Sequence, residues 1–246
     1  FGAVLTVSTT LAGQYEEIAA RLATQADATK LAPCPPGTNE ATCAGNFIKS
    51  FGKRAFRRQL TAAEEQAYKN IYDVGRKGAA HGDGVKAVLE AMLASPKLIY
   101  RFELGTAVSG NRRLLAPHEI ASALSYLLTA TMPDPELFAA VDANMLSTPA
   151  QVEAHARRLL KSPRAKPAIR KFFMQWLGLA NIANVNKDTS VYPMFTPELR
   201  AAMAGETERF VDAVLWERDA TLATLLSSPA TFVNTALAKV YGTPDP

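Results

Sequence analysis

Signals for the start of an α-helix recur along the chain, and they constrain its fold more than any other feature. Thr61 is followed three residues later by Glu64, the spacing of a capping box in which side chains and main chain hydrogen-bond reciprocally. Thr148 and Thr196 are each followed by proline, which is preferred at the first helical position. No convincing strand pattern of alternating polar and apolar residues is present. The sequence therefore predicts an all-α fold of about ten helices, without a substantial β-sheet.

Apolar residues at helical spacing predict which side of each helix is buried. One stripe in residues 11–30 consists of Leu11, Tyr15, Ile18 and Leu22. A second, in residues 43–57, consists of Phe47, Ile48, Phe51 and Phe56, and the other side of that helix carries Lys49, Lys53 and Arg57. We expect both stripes to face a core and the basic side to face solvent.

The composition excludes several classes of protein. With 48% hydrophobic residues the chain can bury a core, and it contains no run of 18 apolar residues that would predict a membrane span. The net charge of +4 is too small to indicate nucleic acid by itself. Basic clusters at 49–58 and 157–171 lie on helices with apolar opposite sides and lack interleaved aromatic residues for base stacking. We expect no nucleic-acid partner and no transmembrane segment.

The two cysteines, Cys34 and Cys43, flank a polar, turn-rich segment, PPGTNEAT. This arrangement favours a disulfide, which would close a short loop and stabilise the fold by about 2–3 kcal/mol. Because disulfides persist in oxidising compartments, it also favours a periplasmic or extracellular location. The alternative is a pair of buried free thiols in a cytosolic protein. A zinc site would need two more ligands, and no histidine lies nearby.

Short catalytic and metal-binding motifs fail in the context that each requires. His118-Glu119 opens like the zinc motif HExxH, but Ser122 stands where the second histidine would be. Residues 82–87 match a loose GxGxxA pattern, yet no strand is predicted before them. No Cys-x-x-Cys-His occurs, so the chain cannot attach a c-type haem covalently in the usual way. We expect no metal site and no covalently bound cofactor in this chain.

A few charged residues are candidates either for chemistry or for structure. Glu103, Glu206 and His118 are the candidates for catalysis, because carboxylates near apolar positions and a histidine in a first helical turn can exchange protons. The alternative is that the carboxylates pair with arginines and that His118 lies at the surface, as predicted also for His81 and His155. The residues predicted to form structural ion pairs are Arg54, Arg57, Arg58, Glu64 and Arg101.

Both ends of the sequence read like the interior of a longer polypeptide. The chain begins with Phe1, and its first residues show no signal peptide. Residues 241–246 resemble a proline-containing linker. We therefore expect a fragment, for which a proteolytic product, an expressed domain and the ordered part of a longer protein are equivalent explanations.

Three longer motifs carry a family resemblance. Residues 51–64, FGKRAFRRQLTAAE, match a signature RAFRRPLT–E with Gln59 in place of proline. Residues 93–103, LASPKLIYRFE, match a closing segment L-SP-FLYR-E. Residues 119–128, EIASALSYLL, match ELASRLSYFLW, with Ala123 in place of arginine and Thr129 in place of tryptophan.

Shorter motifs follow in the same family order: Pro133-Asp134, Gln175-Trp176-Leu177, Glu206-Thr207, Phe232-Val233-Asn234, Leu237-Ala238 and Tyr241-Gly242. Together, over about residues 40–242, the motifs resemble two helical modules of unknown function in planctomycete-type and myxobacterial cytochrome-associated proteins. No catalytic residues are established for these modules, so the resemblance assigns none here. Because Ala123 stands where arginine is common, we do not expect any ion pair that the family makes from this position.

The resemblance implies a domain organisation and a setting. Residues 1–37 would be the tail of a preceding module, 38–110 the first helical module and 111–246 the second, with a polar break at 109–113 between them. Complete family members resemble long exported proteins in which a module with a Cys-x-x-Cys-His haem site usually follows. Haem c is therefore implied in an adjoining module or chain. The implied partners are the remaining modules, in the same polypeptide or as a separate chain.

Three hypotheses for function follow. The first is a haem-free helical scaffold or docking portion of an exported cytochrome c-like redox protein, which a large apolar face near Tyr241 would favour. The second is an independent extracellular enzyme acting on a polymer or lipid through carboxylates such as Glu103 and Glu206, which a buried cleft with two shifted pKa values would favour. The third is electron transfer, with Trp176 and Trp216 between redox centres.

Overall fold

A computed structural model describes residues 7–110, 112–179 and 181–246, and the fold of these ranges is all-α, as predicted. They contain thirteen α-helices. This is more than the ten or so predicted, because one-turn helices such as Ala28–Leu31 and Pro96–Ile99 are too short to show a periodic pattern. The strands Ala107–Ser109 and Arg112–Leu114 pair antiparallel as a short ribbon.

The chain divides into two compact units. The first comprises residues 7–123 and Met132–Ser147, and the second comprises Leu124–Thr131 and Thr148–Pro246. The elements that begin in the first unit are α1 (Thr9–Gln25), α2 (Ala28–Leu31), α3 (Glu40–Phe56), α4 (Ala62–Gly75), α5 (His81–Leu93), α6 (Pro96–Ile99), β1 (Ala107–Ser109), β2 (Arg112–Leu114), α7 (Pro117–Thr129) and α8 (Pro135–Asp142). Helix α7 continues into the second unit from Leu124.

The core of the first unit surrounds α5, which packs against α1, α3 and α4. Val88 and Met92 of α5 are fully buried and belong to one cluster with Ile48 of α3 and Tyr72 of α4. Gly84 brings α4 and α5 together, since a Cβ at this position would lie 2.6 Å from the Tyr72 ring. The second apolar stripe predicted from the sequence, on α3, contributes to this core.

The apolar stripe of α1 does not face the core, so that prediction is wrong. The helix forms, but its buried residues are Ala19 and Ala23. Small side chains let α1 pack closely on α5, and this contact turns the larger side chains outward. The exposed stripe consists of Leu11, Tyr15, Ile18 and Leu22.

Two histidines predicted to be exposed are half-buried. The hydroxyl of Tyr72 lies 2.7 Å from Nδ1 of His81, and the carbonyl oxygen of Ala32 lies 3.3 Å from Nε2. These partners come from other segments, so local sequence did not reveal them. His155 lies one helical turn before the buried Leu159 and shares its side of the helix.

In the second unit, the long helix Pro197–Asp212 packs against neighbouring helices on two sides. The helices of this unit are α9 (Pro149–Leu160), α10 (Ala165–Trp176), α11 (Pro197–Asp212), α12 (Leu222–Ser227) and α13 (Thr235–Tyr241), and a short π-helical segment, Ala213–Glu217, continues α11. Leu199 of α11 packs with Leu237 of α13. Val211, near the end of α11, packs with Val214 and with Leu225 of α12.

The boundaries of the two compact units differ from those of the predicted modules, 38–110 and 111–246. The first unit continues past residue 110 into α7 and includes α8. Of the predicted preceding tail, residues 1–6 lie outside the described residues, and α1 and α2 pack on α5. The module boundaries, which describe family resemblance rather than packing, stay a prediction.

Within the described ranges, no helix combines the length and the apolar character that crossing a membrane requires.

Candidate functional site

A cavity of about 410 Å³ lies in the first unit, within the size range of small-molecule sites. Three segments supply its walls: the end of α3, the stretch from α6 towards β1, and the first turns of α7. Each segment carries one of the three long motifs of the family resemblance. The lining residues are Phe56, Arg57, Arg58, Ser95, Pro96, Lys97, Phe102, Leu104, His118, Glu119 and Ser122.

Arg57 joins two of these walls. It ends α3 with a left-handed backbone (φ 59°), and its side chain is buried. The guanidinium donates to the carbonyl oxygens of Ala55, Lys97, Leu98 and Tyr100, at 2.7–3.2 Å. The prediction that Arg57 lies on the solvent side of α3 is wrong, because α6 and its flanks offer these acceptors inside the protein.

Glu64 is the acceptor for two cations of the site. Arg58 donates to both carboxylate oxygens, Nη1 to Oε2 at 2.8 Å and Nη2 to Oε1 at 2.7 Å, and Lys97 donates to Oε1. The capping box predicted for Thr61 is present, so Glu64 also accepts from the Thr61 N–H. The Arg58 hydrogen bonds hold the pKa of Glu64 far below its ordinary range, against the opposing effect of partial burial. Two cations facing one carboxylate leave one positive charge in excess.

Glu119 is buried at the start of α7. Its carboxylate accepts from the main-chain N–H groups of Ala116 (2.7 Å), Leu104 (2.8 Å) and Gly105 (3.2 Å). Burial raises the pKa of Glu119, but these hydrogen bonds outweigh it and the pKa is lowered. The failed zinc motif and the family motif at 119–128 both include Glu119, but neither predicts this capping role. The overlooked sequence signal was a glutamate at the third position of a helix that starts with Pro117.

His118 and Ser122 lie one turn apart on α7 and both line the cavity. Burial lowers the pKa of His118, Glu119 opposes this and Arg58 adds to it, and the net effect favours the neutral imidazole. Ser122 is 8% exposed, and its Oγ has no hydrogen-bond partner among the described residues. The serine is therefore not paired with a base as an activated nucleophile would be. The arrangement suits binding better than covalent catalysis.

The other candidate residues do not line this cavity. Arg54 is exposed on α3, and Arg101 and Glu103 are exposed in the segment after α6. Glu103 belongs to the first unit and Glu206 to the second. The hypothesis of an enzyme that uses these two carboxylates stays a prediction.

Glu206 of α11 forms hydrogen bonds to two residues near the C-terminal end of the second unit. Its carboxylate accepts hydrogen bonds from the hydroxyl of Tyr241, at 2.8 Å, and from the hydroxyl of Thr231. The hydrogen bond to Glu206 raises the pKa of Tyr241. Glu206 and Tyr241 both belong to motifs of the family resemblance. Their hydrogen bond joins α11 to α13.

The predicted disulfide between Cys34 and Cys43 is confirmed, with the two Cα atoms 5.5 Å apart. It links the segment after α2 to the first turn of α3. Within the described ranges, no group of three or more His, Cys, Asp or Glu side chains is placed to hold a metal ion.

A second, wider cavity of about 900 Å³ lies in the second unit. Part of the basic cluster at 157–171 lines it, together with Trp216 of the π-helical segment. Nζ of Lys166 lies 5.8 Å from the centre of the Trp216 ring. Trp216 is thus half-buried beside a cation, a contact that stabilises packing, and the electron-transfer hypothesis stays a prediction.

The described residues place the chain in the all-α class of proteins. Residues 115–243 match the model of the family described as protein of unknown function (DUF1592), and the chain belongs to that family. Residues 43–103 match a second model, also described as protein of unknown function (DUF1595). No curated protein and no solved structure matches the chain.

Proposed function

We propose that this chain is the haem-free helical scaffold and docking portion of an exported cytochrome c-like redox protein. It would pack against a haem-bearing module that lies outside this sequence. The matches to the two family models support the resemblance from which this setting was inferred. The disulfide supports an oxidising compartment, the periplasm or the exterior.

The observation that carries the proposal is a set of large apolar side chains left exposed on helices of the second unit. Phe172 and Trp176 lie one turn apart on α10, and they are 56% and 52% exposed. Leu222 and Leu226 have the same spacing on α12 and are also exposed. Near the end of α13, Tyr241 is about half exposed. On α10 and on α12 the paired side chains, one turn apart, form a continuous apolar stripe, and contiguous apolar surface typically marks a binding site for a partner.

The chemistry of a haem edge suits this surface. A haem presents an apolar macrocycle with two propionate carboxylates. On α10 an exposed cation, Lys171, directly precedes Phe172 in the sequence and projects about 100° around the helix from it. Aromatic and basic side chains together can therefore contact both parts of such an edge.

The first test is the visible absorption spectrum of the protein purified from its natural source, with the intact mass of the same sample. We expect a Soret band together with a second polypeptide or a mass well above 26.5 kDa. A colourless sample of 26.5 kDa would contradict the proposal.

A variant then tests the surface itself. Phe172→Ser combined with Trp176→Ser should reduce co-elution with the haem-bearing polypeptide by about tenfold, because central aromatic residues dominate such interfaces. The matched control is Val74→Ser, which removes an apolar side chain exposed on α4 of the first unit. Equal co-elution of the double variant and the control would exclude α10 as the docking surface.

A further inference from the structure

The cavity of the first unit contains a polar group that the described protein does not satisfy. Ser122 is more than nine-tenths buried, lines the cavity, and has no hydrogen-bond partner for Oγ among the described residues. Buried hydroxyl groups are nearly always hydrogen-bonded, so an orphaned one in a cavity indicates a missing partner. Either a water molecule or a polar atom of a bound ligand can supply that partner.

Arg57 and Lys97, two cations that line this cavity, differ in how many of their N–H donors are used in hydrogen bonds within the protein. Arg57 directs its two terminal nitrogens to four carbonyl oxygens, and it acts as part of the wall. Lys97 has three N–H donors and gives one to Glu64, and its side chain is 44% exposed. Lys97, with Arg58 beside it, can therefore bind an anionic group while it keeps its hydrogen bond to Glu64.

The rest of the lining is largely apolar. Phe56 is buried, while Phe102 and Leu104 have exposed surface that a ligand would remove from water. His118 adds a flat, half-buried ring. An apolar lining with a few polar groups is typical of sites for small organic molecules.

We propose that this cavity binds a small organic acid, with one carboxylate, an aromatic body and a hydroxyl group. The carboxylate would lie at Lys97 and Arg58, the body against Phe56 and Phe102, and the hydroxyl at Ser122. The site lies in the first unit and α10 in the second, and this proposal does not rest on the proposed function.

Calorimetric titration of the whole 246-residue chain tests this proposal with three probes. The probes are 4-hydroxyphenylacetate, its neutral amide, and phenylacetate, which lacks the hydroxyl. We expect the hydroxylated acid to bind about five- to tenfold more tightly than its amide, because a charge-assisted hydrogen bond is lost in the amide. We expect it to bind about threefold more tightly than phenylacetate, because Ser122 gains a partner.

Two variants assign these preferences to residues. Lys97→Gln should abolish the preference for acid over amide. The matched control, Lys49→Gln, removes another lysine that is ion-paired with a glutamate, Glu65, and does not line the cavity. Ser122→Ala should abolish the preference for the hydroxylated acid over phenylacetate. Circular dichroism and the melting temperature verify that each variant is folded.

Three outcomes would overturn the proposal. They are no saturable binding of any probe up to about 10 mM, equal affinity for the acid and the amide, and an equal loss of binding in Lys97→Gln and Lys49→Gln. A preference for the hydroxylated acid that survives in Ser122→Ala would overturn the assignment of Ser122.

Discussion

Arg58 and Glu64 form a bidentate ion pair, with nitrogen–oxygen distances of 2.8 and 2.7 Å. The same carboxylate completes the capping box of α4 through Thr61 and accepts from Lys97, which is 33 residues away in the chain. One side chain therefore connects the end of α3, the start of α4 and α6. Its loss would loosen all three elements at one wall of the cavity.

Glu64→Gln should destabilise the protein by about 2–3 kcal/mol at neutral pH, because Arg58 and Lys97 lose a charged acceptor while glutamine can still complete the capping box. The folded state lowers the pKa of Glu64, so this stabilisation is complete above the ordinary glutamate pKa and is lost as the pH falls below it. Urea unfolding from pH 7 to about pH 3 should show the difference between wild type and variant shrinking. Glu65→Gln is the control, since Glu65 has one looser ion pair and should cost less than about 1 kcal/mol. A difference that grows towards low pH would contradict the prediction.

Arg57→Ala should destabilise the protein by about 3 kcal/mol, because the carbonyl oxygens of Lys97, Leu98 and Tyr100 lose their donor. Arg57→Gly separates this loss from backbone strain, because glycine adopts the left-handed conformation freely. We expect the glycine variant to be more stable than the alanine variant by about 0.5–1 kcal/mol. Arg54→Ala, at an exposed position of the same helix, should change the melting temperature little. An unchanged melting temperature in Arg57→Ala would refute the anchoring role.

Digestion without reductant should yield one peptide pair joined through Cys34 and Cys43. Replacing both cysteines by alanine should lower the free energy of unfolding by about 2–3 kcal/mol, because the loop in the unfolded chain is then open. Reductant should destabilise the wild type and leave the double variant unaffected. Two free thiols in the native protein would disprove the pairing.

Gly84→Ala should destabilise the first unit by about 1–3 kcal/mol, because the new methyl group would press against the ring and the carbonyl oxygen of Tyr72. Gly13→Ala on α1 is the matched control, since no atom lies within 4 Å of the added Cβ. That change should stabilise the protein by about 0.5–1 kcal/mol through helix propensity. Thermal unfolding of both variants measures the contrast, and equal melting temperatures would show that α4 and α5 do not pack this closely.

Much of the local structure could be predicted because it depends on residues close together in the chain. The capping box joins Thr61 to Glu64, and Thr196 accepts from the N–H of Leu199, each across three residues. The disulfide joins cysteines only nine positions apart. Hydrogen bonds and cross-links over such distances require no knowledge of the rest of the fold.

The candidate site could not be predicted in the same way. Its contacts run from Arg57 to Tyr100, 43 residues away, and from Glu119 to Leu104, 15 residues away. The sequence contained the motifs, but nothing local showed that Arg57 turns inward or that Ser122 faces a cavity.

The amino-acid sequence by itself determined the helices, their starts and the disulfide, because each arises from interactions between near neighbours. Only the tertiary structure decided which side of α1 is buried and which residues surround the cavity. The stripe that includes Leu11 and Ile18 has the periodicity of a buried face, yet Ala19 and Ala23 pack inward. Burial depends on how closely another helix can approach, and that is a property of two surfaces that are distant in sequence.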